Sequence, residues 1–90
     1  MINDIFKYIE THSHNFVRAK SGSYYVTVLK MKIRVSNHMS WNTDSDYCFV
    51  QLRNDPEHFV MYKPSTCDLK LVSYYDVVSF FEKLDLLEKC

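Results

Sequence analysis

The fold is decided by residues 24–36, which read YYVTVLKMKIRVS. The first five of these residues are β-branched or aromatic, a composition typical of a strand. In the last six, the apolar residues Met31, Ile33 and Val35 alternate with polar side chains, which is the pattern of a strand with one buried face. We therefore expect two adjacent strands that form an antiparallel hairpin, with the turn near residues 29–31.

Two further strands and two helices are predicted around this hairpin. Residues 47–52 and 58–63 are rich in aromatic and β-branched side chains, and a turn sequence around Pro56 separates them. An apolar stripe at helical spacing predicts a helix near each end of the chain, and Ser73 and Asp76 form a capping-box pattern before the second one. The stripes consist of Ile2, Ile5, Phe6 and Ile9 in the first helix and Val77, Phe80, Phe81, Leu84 and Leu87 in the second.

The order of these elements predicts a single α+β domain over residues 1–90. Four strands joined by short turns form an antiparallel meander, and both helices can bury their apolar stripes on one face of it. We expect the opposite face to be open to solvent and lined by Lys32, Arg34 and alternate tyrosines. A chain of 90 residues has room for one domain, and 47% hydrophobic residues with a single glycine indicate a folded one.

The composition favours a soluble protein of the host-cell cytoplasm. No stretch approaches the about 20 apolar residues of a transmembrane helix, so no membrane association is expected. The first residues lack the basic and then apolar pattern of a signal peptide. The three cysteines are an odd number, which indicates reduced thiols.

The sequence carries no recognisable catalytic motif, so we expect a non-enzymatic protein with no cofactor and no metal. A single glycine excludes the usual phosphate-binding loops, and no CxxC, HExxH or nucleophile elbow is present. Cys48, Cys67, His38 and His58 lack the close pairs of structural zinc sites, and the HxH pair of His12 and His14 lacks a further ligand at fixed spacing. A small nuclease or toxin with two histidines as acid and base remains an alternative. Its candidate groups are His38, His58, Lys32 and Arg34.

Charge is unevenly distributed along the neutral chain. Residues 1–43 carry six basic and two acidic side chains, a net +4, and residues 44–90 carry five and nine, a net −4. The favoured interpretation is that strands from the two halves pair in the fold, so that their charges compensate each other. The other interpretation is a protein with one basic and one acidic face. A small nucleic-acid-binding module with basic and aromatic side chains on an open sheet face is a second functional alternative. Its candidate residues are Arg18, Lys20, Tyr25, Lys30, Lys32 and Arg34.

A longer motif adds a resemblance to a group of proteins. Residues 23–26 read SYYV and residues 32–40 read KIRVSNHMS. An aromatic strand followed by such a segment and a terminal helix resembles small orphan proteins of bacteriophages and mobile elements. Some of those proteins inhibit host defences, including CRISPR and restriction systems. The resemblance directs attention to Arg34, Ser36, Asn37 and His38.

The leading hypothesis is a binding protein of a phage or mobile element that docks on a host defence protein, as anti-CRISPR inhibitors do. The partner would be a host or viral protein, and the chain would be a monomer or a homodimer paired through an edge strand, either Tyr24–Val28 or residues 58–63. Trp41 lies in a polar segment beside the basic strand, where tryptophan is suited to a binding hot spot; a side chain folded back over one end of the sheet is the other interpretation. The candidate partner-binding residues are Lys32, Arg34, Ser36, Asn37, His38 and Trp41.

Overall fold

The computed structural model describes residues 2–12, 15–40 and 44–88, which form two helices and six strands. In chain order, the helices and strands are α1 (Ile2–Thr11), β1 (Asn15–Arg18), β2 (Tyr24–Val28), β3 (Met31–Ser36), β4 (Tyr47–Leu52), β5 (Asp55–Lys63), β6 (Asp68–Ser73) and α2 (Tyr74–Glu88). The predicted α+β class with a helix near each end of the chain is therefore confirmed.

The six strands form one mixed sheet in which spatial order follows chain order from β1 to β6. Every neighbouring pair is antiparallel except β3 and β4, which run parallel, with Ile33 opposite Tyr47 and Val35 opposite Phe49. The prediction of a four-stranded antiparallel meander was therefore wrong in two respects. It lacked the two edge strands, and it joined the central strands by a short turn.

The parallel step depends on residues 37–46, which we call the crossover segment. Parallel neighbours need a connection that returns along the length of the sheet. Ten extended residues reach about 33 Å, whereas a six-residue strand is about 20 Å long. The segment is therefore long enough to return across the sheet without a helix, and the next strand can start beside the beginning of β3.

Both helices cover the same face of the sheet. The ring of Phe6 in α1 stacks on Tyr24 of β2 at 4.0 Å between centroids, and Phe80 of α2 meets Phe49 of β4 edge-on at 5.1 Å. Between the two helices, the Tyr8 hydroxyl donates a hydrogen bond to the Asp85 carboxylate. Each fully buried aromatic side chain contributes about 1.5–3 kcal/mol. The buried core on this face comprises Ile2, Ile5, Ile9, Tyr24, Val26, Val28, Ile33, Val35, Phe49, Phe59, Val72, Val77, Phe81 and Leu84.

The capping box predicted for α2 is present. The backbone N–H of Ser73 donates to the Asp76 carboxylate at 2.9 Å, and the N–H of Asp76 donates to Ser73 Oγ at 3.2 Å. These bonds occupy backbone donors that a helix N-terminus leaves without partners. The helix therefore begins directly where β6 ends.

The hairpin between β2 and β3 is also confirmed, with an uncommon turn. Its central residues are Leu29 and Lys30, with φ angles of 52° and 66°. Two successive positive φ angles are typical of a type I′ turn, which normally contains Asn and Gly. Neither residue is suited to this conformation, so the turn is held by the strands on either side of it.

The edges of the sheet are β1 and β6. The strands that the sequence suggested as edges, Tyr24–Val28 and residues 58–63, each have a neighbour on both sides. Any pairing between copies of the chain through a free strand must therefore use β1 or β6. Within the described residues, neither helix is long and apolar enough to cross a bilayer.

Candidate functional site

We call the sheet face opposite the helices the outer face. Because side chains alternate along a strand, residues paired across neighbouring strands share a face. One such row crosses all six strands of the outer face. It consists of Val17, Tyr25, Arg34, Cys48, Tyr62 and Leu69.

The described parts of the crossover segment, residues 37–40 and 44–46, are held to the sheet by hydrogen bonds near each end of the segment. Near its start, the Tyr62 hydroxyl donates to the carbonyl oxygen of Ser40 and accepts from the Ser40 N–H at 3.2 Å. Near its end, Asp46 and Lys32 exchange bonds at 2.7 and 2.8 Å, and Asp44 pairs with the Lys32 ammonium at 3.0 Å. The expectation of a face open to solvent was therefore wrong for the central strands.

Arg34 lies on the outer face with only 1% of its surface exposed. Its Nη1 donates to the Tyr62 hydroxyl and its Nη2 to Ser23 Oγ, both at 3.4 Å, while Nε has no hydrogen-bond partner. Within the described residues, no carboxylate forms an ion pair with it. A buried charge without a counter-ion is costly, so the neighbouring hydroxyl groups compensate this guanidinium only in part.

Ser36 extends the polar cluster from Arg34 toward the surface. Its hydroxyl lies 2.8 Å from Ser23 Oγ and 3.1 Å from His38 Nδ1, and it accepts from the His38 backbone N–H at 3.2 Å. The hydroxyl groups of Ser23 and Tyr62 thus lie on either side of the guanidinium. The start of the crossover segment is therefore bound to the sheet through a continuous set of polar contacts.

Cys48 and Tyr62 share the buried part of the outer face with Arg34. Burial raises the pKa of the Cys48 thiol, and the Arg34 charge opposes this rise only in part. Burial also raises the pKa of the Tyr62 hydroxyl. Both groups therefore keep their protons at neutral pH, and Cys48 lacks the thiolate character of a reactive cysteine.

The exposed side of the crossover segment presents Asn37, His38, Met39 and Asp44 to solvent. Met39 has 43% of its surface exposed, which is notable for a large apolar side chain beside buried polar groups. Two grooves flank the segment. One of about 370 Å³ is lined by Asn37, His38, Gln51, Leu52, Arg53 and Pro56, and one of about 300 Å³ by Asn15, Val17, Tyr25, Val26, Thr27, Lys32, Asp44 and Ser45.

The structure separates the candidate partner-binding residues into two groups. Lys32, Asn37 and His38 are exposed, whereas Arg34 and Ser36 are buried. Trp41 lies outside the described residues. The buried pair therefore supports the segment from below, and the exposed residues are the ones available to a partner.

The candidate nucleic-acid residues do not form one continuous surface. Lys20 and Lys30 flank opposite ends of β2, and the Arg18 guanidinium lies over the Tyr24 ring on the helix-covered face, 5.9 Å from its centroid. Arg34 is buried, and Lys32 is paired with an acidic residue. Of this set, Tyr25 remains half-buried on the outer face beside Lys32.

The two histidines of the nuclease alternative make separate local contacts. His58 Nδ1 lies 2.7 Å from an Asp55 carboxylate oxygen, whereas His38 Nδ1 contacts Ser36 and Asn37. No contact joins the two rings within the described part of the chain. The same residues contain no group of three side chains suited to hold a metal ion.

Sequence reasoning missed Ser23, Ser40 and Tyr62 as members of the polar cluster. Ser23 and Ser40 lie at the ends of the stretches that carry the resemblance, which gives neither a role, and Tyr62 has no local motif around it. Ser23, which directly precedes β2, and Tyr62 of β5 reach the same guanidinium from opposite sides of β3. The Tyr62 contact follows from the parallel pairing of β3 with β4, which the sequence did not predict.

Comparison of the chain with protein-family models, curated proteins and solved structures gave no match.

Proposed function

We propose that this chain is a non-enzymatic binding protein that docks on a protein partner through the exposed side of the crossover segment. The observation that carries the proposal is the contrast between the two sides of this segment. Its inner side is tied to Tyr62, Ser36 and Lys32 by hydrogen bonds, while the side chains of Asn37 to Met39 project into solvent. Long connections of this kind in compact domains are commonly binding loops.

The anchoring contacts support this function through the entropy of binding. A loop that is already ordered loses less conformational freedom when a partner binds. Ser40 is held through both of its backbone groups, and Asp46 pairs with the backbone of Lys32. The two flanking grooves provide concave surfaces on either side, where side chains of a partner would be buried.

A finer proposal concerns the class of partner. The resemblance of residues 32–40 to small proteins of phages and mobile elements supports a host defence protein as the target, with this chain as its inhibitor. Arg34 would then act by supporting the loop from below, since it is buried. Trp41, outside the described residues, stays a predicted contact.

The test is a pull-down from bacterial lysate with and without nuclease, followed by affinity measurements on the captured protein. We expect capture to survive nuclease treatment. Changing His38 and Met39 together to Ala should weaken binding at least about tenfold, since hot-spot losses of 1.4 kcal/mol or more are typical. Tyr75→Ala is the matched control, because this side chain is 74% exposed and lies in α2, on the other face of the sheet.

Two results would contradict the proposal. Equal affinity of the double variant and the wild-type chain would exclude this surface. Loss of all capture after nuclease treatment, together with affinity that falls steeply with salt, would favour the nucleic-acid alternative.

A further inference from the structure

Strand β6 is an edge strand with an unusual exposed surface. Within the described residues its only strand neighbour is β5, so its other edge carries unpaired backbone N–H and C=O groups. Two large apolar side chains of the same strand lie on the outer face with most of their surface in solvent, Leu69 at 57% and Leu71 at 60%. Exposed edges with apolar side chains are sites of strand pairing.

We propose that β6 pairs with β6 of a second copy of this chain, antiparallel across a two-fold axis. The two sheets join into one continuous sheet, with the outer faces of both copies on the same side. This dimer is independent of the docking surface on the crossover segment.

The charges of β6 select one register for this pairing. Residues opposite each other in an antiparallel pair share a face. The two-fold axis therefore passes midway between the two copies of one β6 residue, which is called the central residue of the register. Centring on Lys70 sets two ammonium groups opposite each other, which is unfavourable. Centring on Leu69 sets Asp68 of each copy opposite Lys70 of the other and brings the two Leu69 side chains together.

Both charged groups are exposed to solvent, and the Lys70 charge also acts on the Asp76 carboxylate of its own chain. In the described part of the chain, neither side chain takes part in an ion pair, and both are exposed. The Thr66 hydroxyl donates to one carboxylate oxygen of Asp68 at 3.1 Å, which holds the carboxylate in place. Asp68 and Lys70 are two residues apart, so both pairs form on the same face of the joined sheet.

Pairing of two copies through β6 is more favourable than a pairing that uses β1, the other edge strand. Strand β1 has four residues, Asn15–Arg18, and no acidic side chain to pair with Arg18 of a second copy. Pairing of β1 with β6 of the next copy is head-to-tail and would produce larger rings or open fibres instead of a dimer. The β6 pair closes on itself, and its small area predicts a weak dimer that depends on concentration.

The test is sedimentation equilibrium of the full chain from about 1 µM to about 1 mM, which covers weak association. The wild-type chain is expected to dimerise. Asp68→Lys and Lys70→Asp each place like charges opposite each other, so each should weaken dimerisation about tenfold or more. The combined swap restores the opposite-charge pairs and should return the affinity toward wild-type. Arg18→Asp on the other edge is the control and should leave dimerisation unchanged.

Cross-linking tests the register directly. Opposed Cα atoms of an antiparallel pair are about 4.5–5.5 Å apart, within the range of a disulfide. Leu69→Cys in a chain with Cys67→Ser and Cys90→Ser should form a covalent dimer under mild oxidation, and Leu29→Cys in the same background should not. A monomer at all concentrations, or a dimer that the double swap fails to restore, would overturn the proposal; circular dichroism of each variant checks its fold.

Discussion

The hydroxyl group of Tyr62 binds both backbone groups of Ser40. It donates to the carbonyl oxygen and accepts from the N–H, so one side chain of β5 fixes a point of the crossover segment on the sheet. The same oxygen accepts a hydrogen bond from Arg34 Nη1. Tyr62 thus connects the buried cation to the segment that covers it.

Replacing Tyr62 by Phe should destabilise the protein by about 1–3 kcal/mol, because the hydroxyl partners on Ser40 and Arg34 lose a buried hydrogen bond. Urea unfolding measures this change, and amide hydrogen exchange at Ser40 should become faster. Tyr75→Phe is the matched control, since that ring is mostly exposed. Unchanged stability and unchanged exchange at Ser40 would show that the hydroxyl does not hold the segment.

Arg34→Met should give a more stable protein than Arg34→Lys. Methionine removes a buried charge that no described carboxylate neutralises, whereas lysine keeps the charge and loses the planar donor geometry. We expect the methionine variant to lie within about 1 kcal/mol of wild-type or above it, and the lysine variant to lie clearly below. Chemical denaturation of the three proteins gives the order. A lysine variant as stable as wild-type would contradict this account of the buried charge.

The capping box predicts a loss of stability at acidic pH. The hydrogen bond from the Ser73 backbone N–H is the main cause that lowers the pKa of the Asp76 carboxyl below its ordinary value of 3.8. Since the folded pKa lies below the unfolded one, this stabilisation is present above pH 3.8 and is lost as the pH falls through the folded pKa. As the pH is lowered, the free energy of unfolding should fall less steeply for the Asp76→Asn variant than for the wild-type protein. Identical slopes for the two proteins would refute the assignment.

The turn between β2 and β3 should be easy to improve. Leu29 and Lys30 adopt positive φ angles that cost about 1–2 kcal/mol for each residue with a Cβ atom. Leu29→Asn combined with Lys30→Gly introduces the preferred type I′ sequence and should raise stability by about 1 kcal/mol or more. For a chain of this size, the corresponding rise in melting temperature is about 4–8 °C. Scanning calorimetry checks it, and a lower melting temperature would count against the turn geometry.

Elements with strong periodicity could be predicted from the sequence, and the edge strands could not. Both helices and strands β2 to β5 carry clear apolar stripes or alternation. Strand β1 has four residues, of which only Phe16 is partly buried, so no pattern distinguishes it from a loop. Strand β6 has Leu69 and Leu71 on its exposed side, which reverses the usual relation between apolar side chains and burial.

The sequence could predict on which face of the sheet the site residues lie, but not which of them are buried. Lys32 and Arg34 alternate with apolar residues and belong to the same face, as the pattern indicates. Lys32 is exposed and Arg34 is buried, where it contacts Tyr62 and Ser23. This burial depends on contacts between residues far apart in sequence, such as Ser40 with Tyr62, and no local pattern encodes it.

The single parallel step also determines how the chain can fold. It divides the protein into two consecutive units, each an antiparallel three-stranded meander with its own helix, and only β3 and β4 pair across the division. Each unit forms from contacts between neighbours in the chain, which is the fast part of folding. We expect the docking of the two units to be the slower step, and the net charges of +4 on residues 1–43 and −4 on residues 44–90 favour that encounter.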